Sequence, residues 1–203
     1  VITTTVVLLT VGTLLLKATE DISWMGAFFH SVSARTAGFS TYSIGQFSNA
    51  GLFVLSILMF IGASPGSTGG GIKTSTFFVL VQSMRGAFTK NMPSAFHRTI
   101  SKQNVNKAYM ITLLSATVVC VAVFLMCVLD PECTFIQLFF EVISAFGTVG
   151  LSTGITPTLS WAGKLVLVFV MFIGRVGAFT LLTVWINRPE RNAHYSEESV
   201  SIG

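Results

Sequence analysis

An uncharged run of 22 residues, Ala108 to Leu129, is the feature that most constrains the fold of this chain. A helix needs about 20 apolar residues to cross the hydrocarbon core of a bilayer, and this run is long enough. Charged residues make up only 10% of the sequence, against about 25% in soluble domains, which is too few to solvate a soluble surface. The sequence therefore predicts an integral membrane protein, surrounded by the lipid bilayer and without a nucleic-acid partner.

Further apolar segments continue this pattern. Val1 to Leu16 predicts a span, and Leu165 to Ile186 predicts another that contains one charge, Arg175. The apolar segments 50–63 and 72–84 are separated by a stretch with four glycines and a proline. Because each glycine disfavours a helix by about 1 kcal/mol and proline by about 3 kcal/mol, we predict a helix that is broken at membrane depth.

The distribution of charge predicts the orientation of the chain. Residues 85–107 contain five basic residues and no acid, which is typical of a cytoplasmic loop. The acidic residues Glu20 and Asp130 fall on the opposite side in this arrangement. We expect a multi-pass protein of the cell membrane with residues 85–107 and the C-terminal tail in the cytoplasm.

An internal repeat divides the chain into two similar units. When the sequence is shifted by 112 positions, residues 36–62 align with residues 148–174, and 13 of the 27 aligned positions are identical. Each unit contains a span, a short apolar helix, a glycine-centred pentapeptide and a second span. We predict the first unit over residues 1–93, the second over residues 94–187, and a cytoplasmic tail over residues 188–203.

The pentapeptides TAGFS and TVGLS follow helices that are too short to cross a bilayer, Ile22–Ala34 and Thr134–Ala145. Each helix must therefore enter and return, which leaves its pentapeptide at membrane depth as non-helical backbone. Such backbone is tolerated only where it is buried in protein or lines a watery path. Glycine permits positive φ, so successive carbonyls can face one axis and replace the hydration shell of a cation. The predicted filter residues are Thr36, Ala37, Gly38, Phe39, Ser40, Thr148, Val149, Gly150, Leu151 and Ser152. The carbonyls predicted to bind the cation are those of Thr36, Ala37, Gly38, Thr148, Val149 and Gly150.

These pentapeptides resemble the potassium-channel filter sequence TVGYG. With GASPGSTGGGIKT after the first and FIGRVG after the second, the chain resembles the C-terminal half of a Trk/Ktr/HKT-type potassium transporter subunit, closest to the bacterial Ktr type. The resemblance covers the whole chain except the tail. It implies an all-α integral membrane fold of two tandem span–pore-helix–filter–span repeats that is potassium-channel-like. In this fold, a glycine-rich intramembrane loop breaks the second helix of the first repeat.

The resemblance also implies a function, which is potassium translocation through the filter, with its entrance outside and loop 62–71 as a gate below it. Arg175 stands where the first repeat has Ala63, and a mid-span arginine costs about 2.5–3.5 kcal/mol. We expect it to hold the closed loop through loop carbonyls or Glu141, with a purely structural ion pair as the alternative. The predicted gate residues are Gly62, Ala63, Ser64, Pro65, Gly66, Ser67, Thr68, Gly69, Gly70, Gly71, Lys73 and Arg175. Arg35 and Glu141 are predicted as a structural ion pair that braces the pore loops.

Partners follow from the four fused units that surround one pore in that family. We expect a missing N-terminal half with two further pore-loop units, a homodimer of complete subunits and a cytosolic nucleotide-binding regulatory ring. Topology control alone also explains the basic residues in 85–107. Potassium is the expected transported ion and sodium a candidate coupling or activating ion, with no covalently bound cofactor.

Other functions explain less of the sequence. Residues 62–74 nearly match a phosphate-binding P-loop, but Ile72 stands where that motif needs lysine. The alternatives are the ion-binding subunit of an ATP-driven potassium pump and a non-permeating membrane scaffold or receptor. The sequence contains no recognisable catalytic constellation, so we predict that the chain is not an enzyme.

Overall fold

Helices make up almost all regular structure in residues 1–89, 94–95 and 98–177, the part of the chain that the computed structural model describes. The helices before residue 90 are α1 (Ile2–Thr19), α2 (Trp24–Ser33), a 3₁₀ turn (Ile44–Gln46), α3 (Asn49–Phe60) and α4 (Thr74–Thr89). Those after residue 100 are α5 (Lys102–Leu129), α6 (Phe135–Gly147) and α7 (Trp161–Val176). The predicted tail 188–203 and the end of the last predicted span lie outside the described residues.

A short antiparallel pair joins α4 to α5. Its strands are β1 (Ser94–Ala95) and β2 (Arg98–Thr99), two residues each. The all-α prediction contains no strand, because segments this short carry no alternating apolar pattern that a sequence could reveal. The pair connects helices and contributes nothing to the site described below.

Two of the described helices are long and apolar enough to cross a membrane, α1 and α5. The apolar helices α3 and α6 are shorter, with 12 and 13 residues. Side chains on the outer faces of the long helices are apolar and exposed, for example Ile2 at 80% and Leu113 at 73%. Such extensive apolar exposure is typical of a surface that meets lipid or another protein.

The core forms where the two halves of the chain meet. Helix α3 packs against α6, and α6 packs against both α5 and α7. Phe140 and Phe146 of α6 are almost completely buried, and so is Met59 of α3. Phe60 and Phe146 stack with 5.9 Å between their ring centroids. Because α6 packs against three other helices, it anchors the start of the backbone that follows it.

The same acid–serine tie fixes the start of α3 in the first half and the start of α7 in the second. Glu20, the residue after α1, accepts hydrogen bonds from the Ser48 backbone N–H (2.9 Å) and hydroxyl (2.6 Å). Asp130, the residue after α5, accepts from the Ser160 N–H (2.7 Å) and hydroxyl (3.1 Å). Each serine also caps its own helix, by accepting from the backbone N–H three residues later. The tie therefore joins the end of one helix to the start of another.

We expect Asp130→Ala to destabilise the protein, because it leaves two donors at the start of α7 without their charged acceptor. Hydrogen bonds to charged groups contribute about 1.5–3 kcal/mol, so the thermal midpoint in detergent should fall by about 3–10 °C. Glu132→Ala is the matched control, since Glu132 is an exposed acid two residues away. Equal midpoints for the two variants would contradict a stabilising role for the tie.

Candidate functional site

Two backbone segments with the same unusual conformation form the centre of the site. Thr36 and Gly38 have φ of 74° and 78°, and Thr148 and Gly150 have φ of 52° and 95°. Thr36 and Thr148 are the only non-glycine residues with positive φ in the described part of the chain. A β-branched residue in this region is a genuine outlier, and such strain is concentrated at functional sites.

Left-handed residues that alternate with right-handed ones turn successive carbonyls towards one side of a strand. Both segments take this alternation, because the residue between threonine and glycine has ordinary φ in each. Both are held by the helix before them in the same way. The Ala37 N–H donates to the Ser33 carbonyl (3.0 Å), and the Val149 N–H donates to the Ser144 carbonyl (3.0 Å). The two segments therefore share one backbone conformation and one form of attachment to the helix before them.

The two segments lie side by side. A Cβ atom added to Gly38 would collide with the Val149 carbonyl oxygen and would also approach the Gly150 backbone. Only glycine fits at position 38, since both the positive φ and the close approach exclude a side chain. A Cβ on Gly150 would meet nothing within 4 Å, so only its φ of 95° requires glycine there.

A buried carboxylate supports the second segment from behind. Glu141 of α6 is 5% exposed. Its Oε1 accepts from the Ser152 hydroxyl (2.6 Å) and from the Thr153 N–H (2.9 Å) and hydroxyl (3.2 Å). Its Oε2 accepts from the Thr156 hydroxyl (3.0 Å). These bonds fix residues 152–156, at the end of the second segment and directly after it.

The first segment has a different support. His30, which aligns with Glu141 when one residue is inserted in the second copy of the repeat, is completely buried among the rings of Phe29, Tyr42 and Phe47. Neither of its ring nitrogens has a hydrogen-bond partner. At this position the first unit therefore has aromatic packing where the second has a carboxylate, and the first segment is held instead by Ser33, whose hydroxyl donates to the Phe39 carbonyl.

The predicted ion pair between Arg35 and Glu141 is not formed. The Arg35 guanidinium donates to the Gly62 carbonyl (3.4 Å), while Glu141 accepts only from hydroxyl and amide groups. The two residues face different surroundings, since Arg35 contacts the glycine-rich loop and Glu141 faces the chain that follows the second segment. The sequence predicts that both residues are charges inside the membrane. It does not reveal which neighbouring groups form hydrogen bonds with them.

The glycine-rich loop lies directly against both positive-φ segments. Helix α3 ends at Phe60 and α4 begins at Thr74, and the loop fills the interval. The Gly70 N–H donates to the Thr148 hydroxyl (2.9 Å). A Cβ added to Gly69 would lie 2.6 Å from the Thr36 hydroxyl oxygen. Small residues therefore let the loop backbone approach the threonines of both segments.

The ends of the loop are joined to each other. Ile61 and Ile72 form a parallel bridge, and the Ile72 N–H donates to the Phe60 carbonyl (3.0 Å). Gly66 and Gly71 have φ of 84° and 73°, which lets the chain reverse within few residues. The two ends of the loop are thus held next to each other, between the end of α3 and the start of α4.

Three cations hold the carbonyls of this loop. Arg35 donates to Gly62, Arg175 donates to Thr68, and Lys73 donates to Ser67 (3.2 Å) and also to Gly69. Within the described ranges none of the three pairs with a carboxylate. Arg175 lies in the last turn of α7, where the helix dipole favours a cation. The sequence predicted loop carbonyls as one of two partners for Arg175, but it did not predict the contacts of Arg35 and Lys73.

The sequence of this chain is similar to those of known cation transport proteins. The family model described as TrkH, cation transport protein, matches residues 1–194. The potassium/sodium uptake protein NtpJ of Enterococcus hirae is 41% identical over 199 residues, which are 95% of this chain and 44% of that protein. The Ktr system potassium uptake proteins B of Vibrio alginolyticus and D of Bacillus subtilis are 41% and 40% identical, over 89% and 92% of this chain.

A solved structure is also similar. The potassium transporter TrkH from Vibrio parahaemolyticus superposes with a TM-score of 0.70 at 25% identity, over 92% of this chain and 43% of that one. The two Ktr proteins are matched over 40% and 42% of their lengths. The chain therefore spans about two fifths of the length of these relatives.

We expect Glu141→Ala to loosen the chain behind the second segment, because four hydrogen bonds lose their acceptor. An unsatisfied buried donor costs about 1–3 kcal/mol, so the Thr153 amide should exchange with deuterium at least about fivefold faster. Glu141→Gln keeps one carboxamide oxygen as acceptor and should have an intermediate rate. Gln137→Ala is the control, since Gln137 bonds Thr134 at the opposite end of α6. Unchanged exchange in Glu141→Ala would contradict the support.

Proposed function

The chain belongs to the TrkH family of cation transport proteins, and on that premise we propose that it forms part of a gated, potassium-selective pore. The members of this family are membrane transporters, so the chain is a membrane protein. They are not enzymes. The relatives reported above are named as potassium or potassium/sodium uptake proteins. Nothing in the described residues favours the pump-subunit alternative.

The paired filter segments carry this proposal. Threonine and glycine have positive φ at matching positions of both segments, and Gly38 lies against the Val149 carbonyl. This arrangement supports two rows of carbonyl oxygens beside one axis. Carbonyl oxygens replace the hydration shell of K⁺ in known filters. The six carbonyls of residues 36–38 and 148–150 are the proposed ligands of the permeating ion.

The glycine-rich loop is the proposed gate. Its contacts with Thr36 and Thr148, the first residues of the two segments, support this proposal, because a backbone chain there would obstruct an ion that leaves the filter. Three cations fix it there and also repel a cation that arrives from the filter. Opening requires these hydrogen bonds to break together, which glycine permits because the loop backbone has many accessible conformations.

The rest of the pore belongs to the longer protein. Two filter segments line only part of an axis, so we include in the proposal two further pore-loop units in an N-terminal half. The Ktr relatives are named as members of a system, which supports an assembly with a separate regulatory component. A homodimer of complete subunits and a cytosolic nucleotide-binding ring facing residues 85–107 complete the proposal.

Ion flux tests the filter assignment. Liposomes that contain the full-length transporter should take up ⁸⁶Rb⁺ in preference to ²²Na⁺, and Gly38→Ser with Gly150→Ser should lower this preference at least about tenfold. The physical reason is that serine at positive φ displaces the carbonyls and, at position 38, collides with the neighbouring segment. Gly154→Ser is the matched control, because Gly154 has φ of 95° and open space but lies outside the filter. A folded transporter with no rubidium uptake, even with Arg175 removed, would refute potassium permeation.

Arg175→Ala tests the gate. The change removes the hydrogen bond to the Thr68 carbonyl and one positive charge beside the loop. Charged hydrogen bonds contribute about 1.5–3 kcal/mol, so rubidium flux should rise about tenfold or more where the loop limits it. Lys164→Ala is the control, since Lys164 is an exposed cation on the same helix that bonds the Pro157 carbonyl. A wild-type rate with wild-type regulation in Arg175→Ala would remove the arginine from the gate.

A further inference from the structure

An apolar cavity of about 490 Å³ lies between α3, α4, α5 and α6, next to the break in the helix. Phe60 and Ile61 border it from the end of α3, and Ile72 borders it from the other side of the loop. Ala116 and Cys120 of α5 contribute to the opposite wall. We call it the hinge cavity. Its volume is in the range of ligand sites, which is about 300–1,000 Å³.

The wall of the hinge cavity offers no free polar group. Its two hydroxyls are those of Ser56 and Thr112. Each donates to a carbonyl of its own helix, Ser56 to Leu52 (2.8 Å) and Thr112 to Ala108 (2.9 Å). A water molecule needs two to four polar partners, and cavities without them stay dry and bind apolar molecules. The chemistry of the wall therefore selects an alkyl group.

The hinge cavity opens towards the outer face of the helices and is closed on the side of the core. Phe53 and Ile57 at its rim are 51% and 45% exposed. Ile61, Ile72 and Val119 at its floor are 7%, 3% and 5% exposed. The rim continues the apolar outer face of α3. Where this face meets bilayer hydrocarbon, the molecules present at the mouth are lipid acyl chains.

We propose that the hinge cavity binds one acyl chain of a membrane lipid and that this chain favours the closed position of the glycine-rich loop. The second part rests on the gate described under the proposed function. Ile61 and Ile72 form the bridge that closes the loop, and both border the cavity. A chain that contacts both residues gains apolar contact while they are paired and loses it when they separate.

A photoreactive lipid tests the binding directly. The full-length transporter is reconstituted with phosphatidylcholine that carries a diazirine near the end of one acyl chain, and the crosslinks are mapped by peptide mass spectrometry after illumination. Crosslinks to Ile61 and Ile72 are expected, because bulk lipid does not reach these buried side chains. The same lipid with the diazirine in its headgroup should label neither residue.

Filling the hinge cavity should abolish these crosslinks. Ala116→Trp places an indole inside the cavity and should reduce labelling of Ile61 and Ile72 at least fivefold. Leu113→Trp, on the exposed face of the same helix, should leave it unchanged. The proposal is overturned when the floor residues are not labelled, as happens where another protein subunit covers the mouth. It is equally overturned when Ala116→Trp is labelled like Leu113→Trp.

The native thiol of Cys120 tests the effect on the gate. In a Cys127→Ser, Cys133→Ser background, octyl methanethiosulfonate should attach an alkyl chain at Cys120 and slow rubidium flux at least threefold, whereas the methyl reagent should not. Cys120→Ser in that background is the unreactive control. With Cys133 restored the result should persist, because burial and nearby carboxylates, among them that of Asp130, raise the pKa of the Cys133 thiol and slow its reaction.

Lipid crosslinking and rubidium flux test separately whether the hinge cavity binds an acyl chain and whether that chain acts on the gate. Flux that octylation leaves unchanged overturns the link between the acyl chain and the gate. A transporter without rubidium flux before any reagent is added refutes the proposed function, and the crosslinks then still decide whether the hinge cavity binds lipid.

Discussion

Backbone polar groups that leave a helix inside hydrocarbon must find partners within the protein, and the whole site depends on this constraint. The chain leaves helical structure twice as a pentapeptide and once as the glycine-rich loop. Serine carbonyls of the preceding helices and the Glu141 carboxylate satisfy donors of the pentapeptides, while Arg35, Lys73 and Arg175 satisfy acceptors of the loop. These charged groups therefore have a common use, because they supply hydrogen bonds that irregular backbone would otherwise need from water.

The elements of the fold were largely predictable from the sequence. The short helices were predicted at 22–34 and 134–145 and lie at Trp24–Ser33 and Phe135–Gly147, because their ends are set by local features such as Ser23, whose hydroxyl accepts the Gly26 N–H. Contacts between distant residues were not predictable in the same way. The sequence showed that Arg35 and Glu141 needed partners, but many groups were eligible, and only the packing of α3 against α6 determines which ones are near.

The two halves of the chain share one architecture but support their pentapeptides differently. In the second half, Glu141 accepts hydrogen bonds from Ser152 and Thr153, and α7 is continuous to Val176. In the first half, the helix is broken between α3 and α4, and the buried His30 makes only ring contacts. Hydrogen bonds are directional, whereas aromatic packing tolerates small shifts. The position equivalent to Glu141 therefore supplies packing instead of a carboxylate acceptor in the first half.

The acid–serine tie determines how α7 is able to move. Ser160 is held by Asp130, so a tilt of α7 turns about this end and leaves it in place. Arg175 lies 15 residues further along, or about 22 Å at a rise of about 1.5 Å per residue. A rotation of about 5° would displace that end by about 2 Å, which is enough to break a hydrogen bond that tolerates only a few tenths of an ångström. With its start held by Asp130, α7 would act as a lever, so that a small change of tilt breaks the Arg175 hydrogen bond to the Thr68 carbonyl.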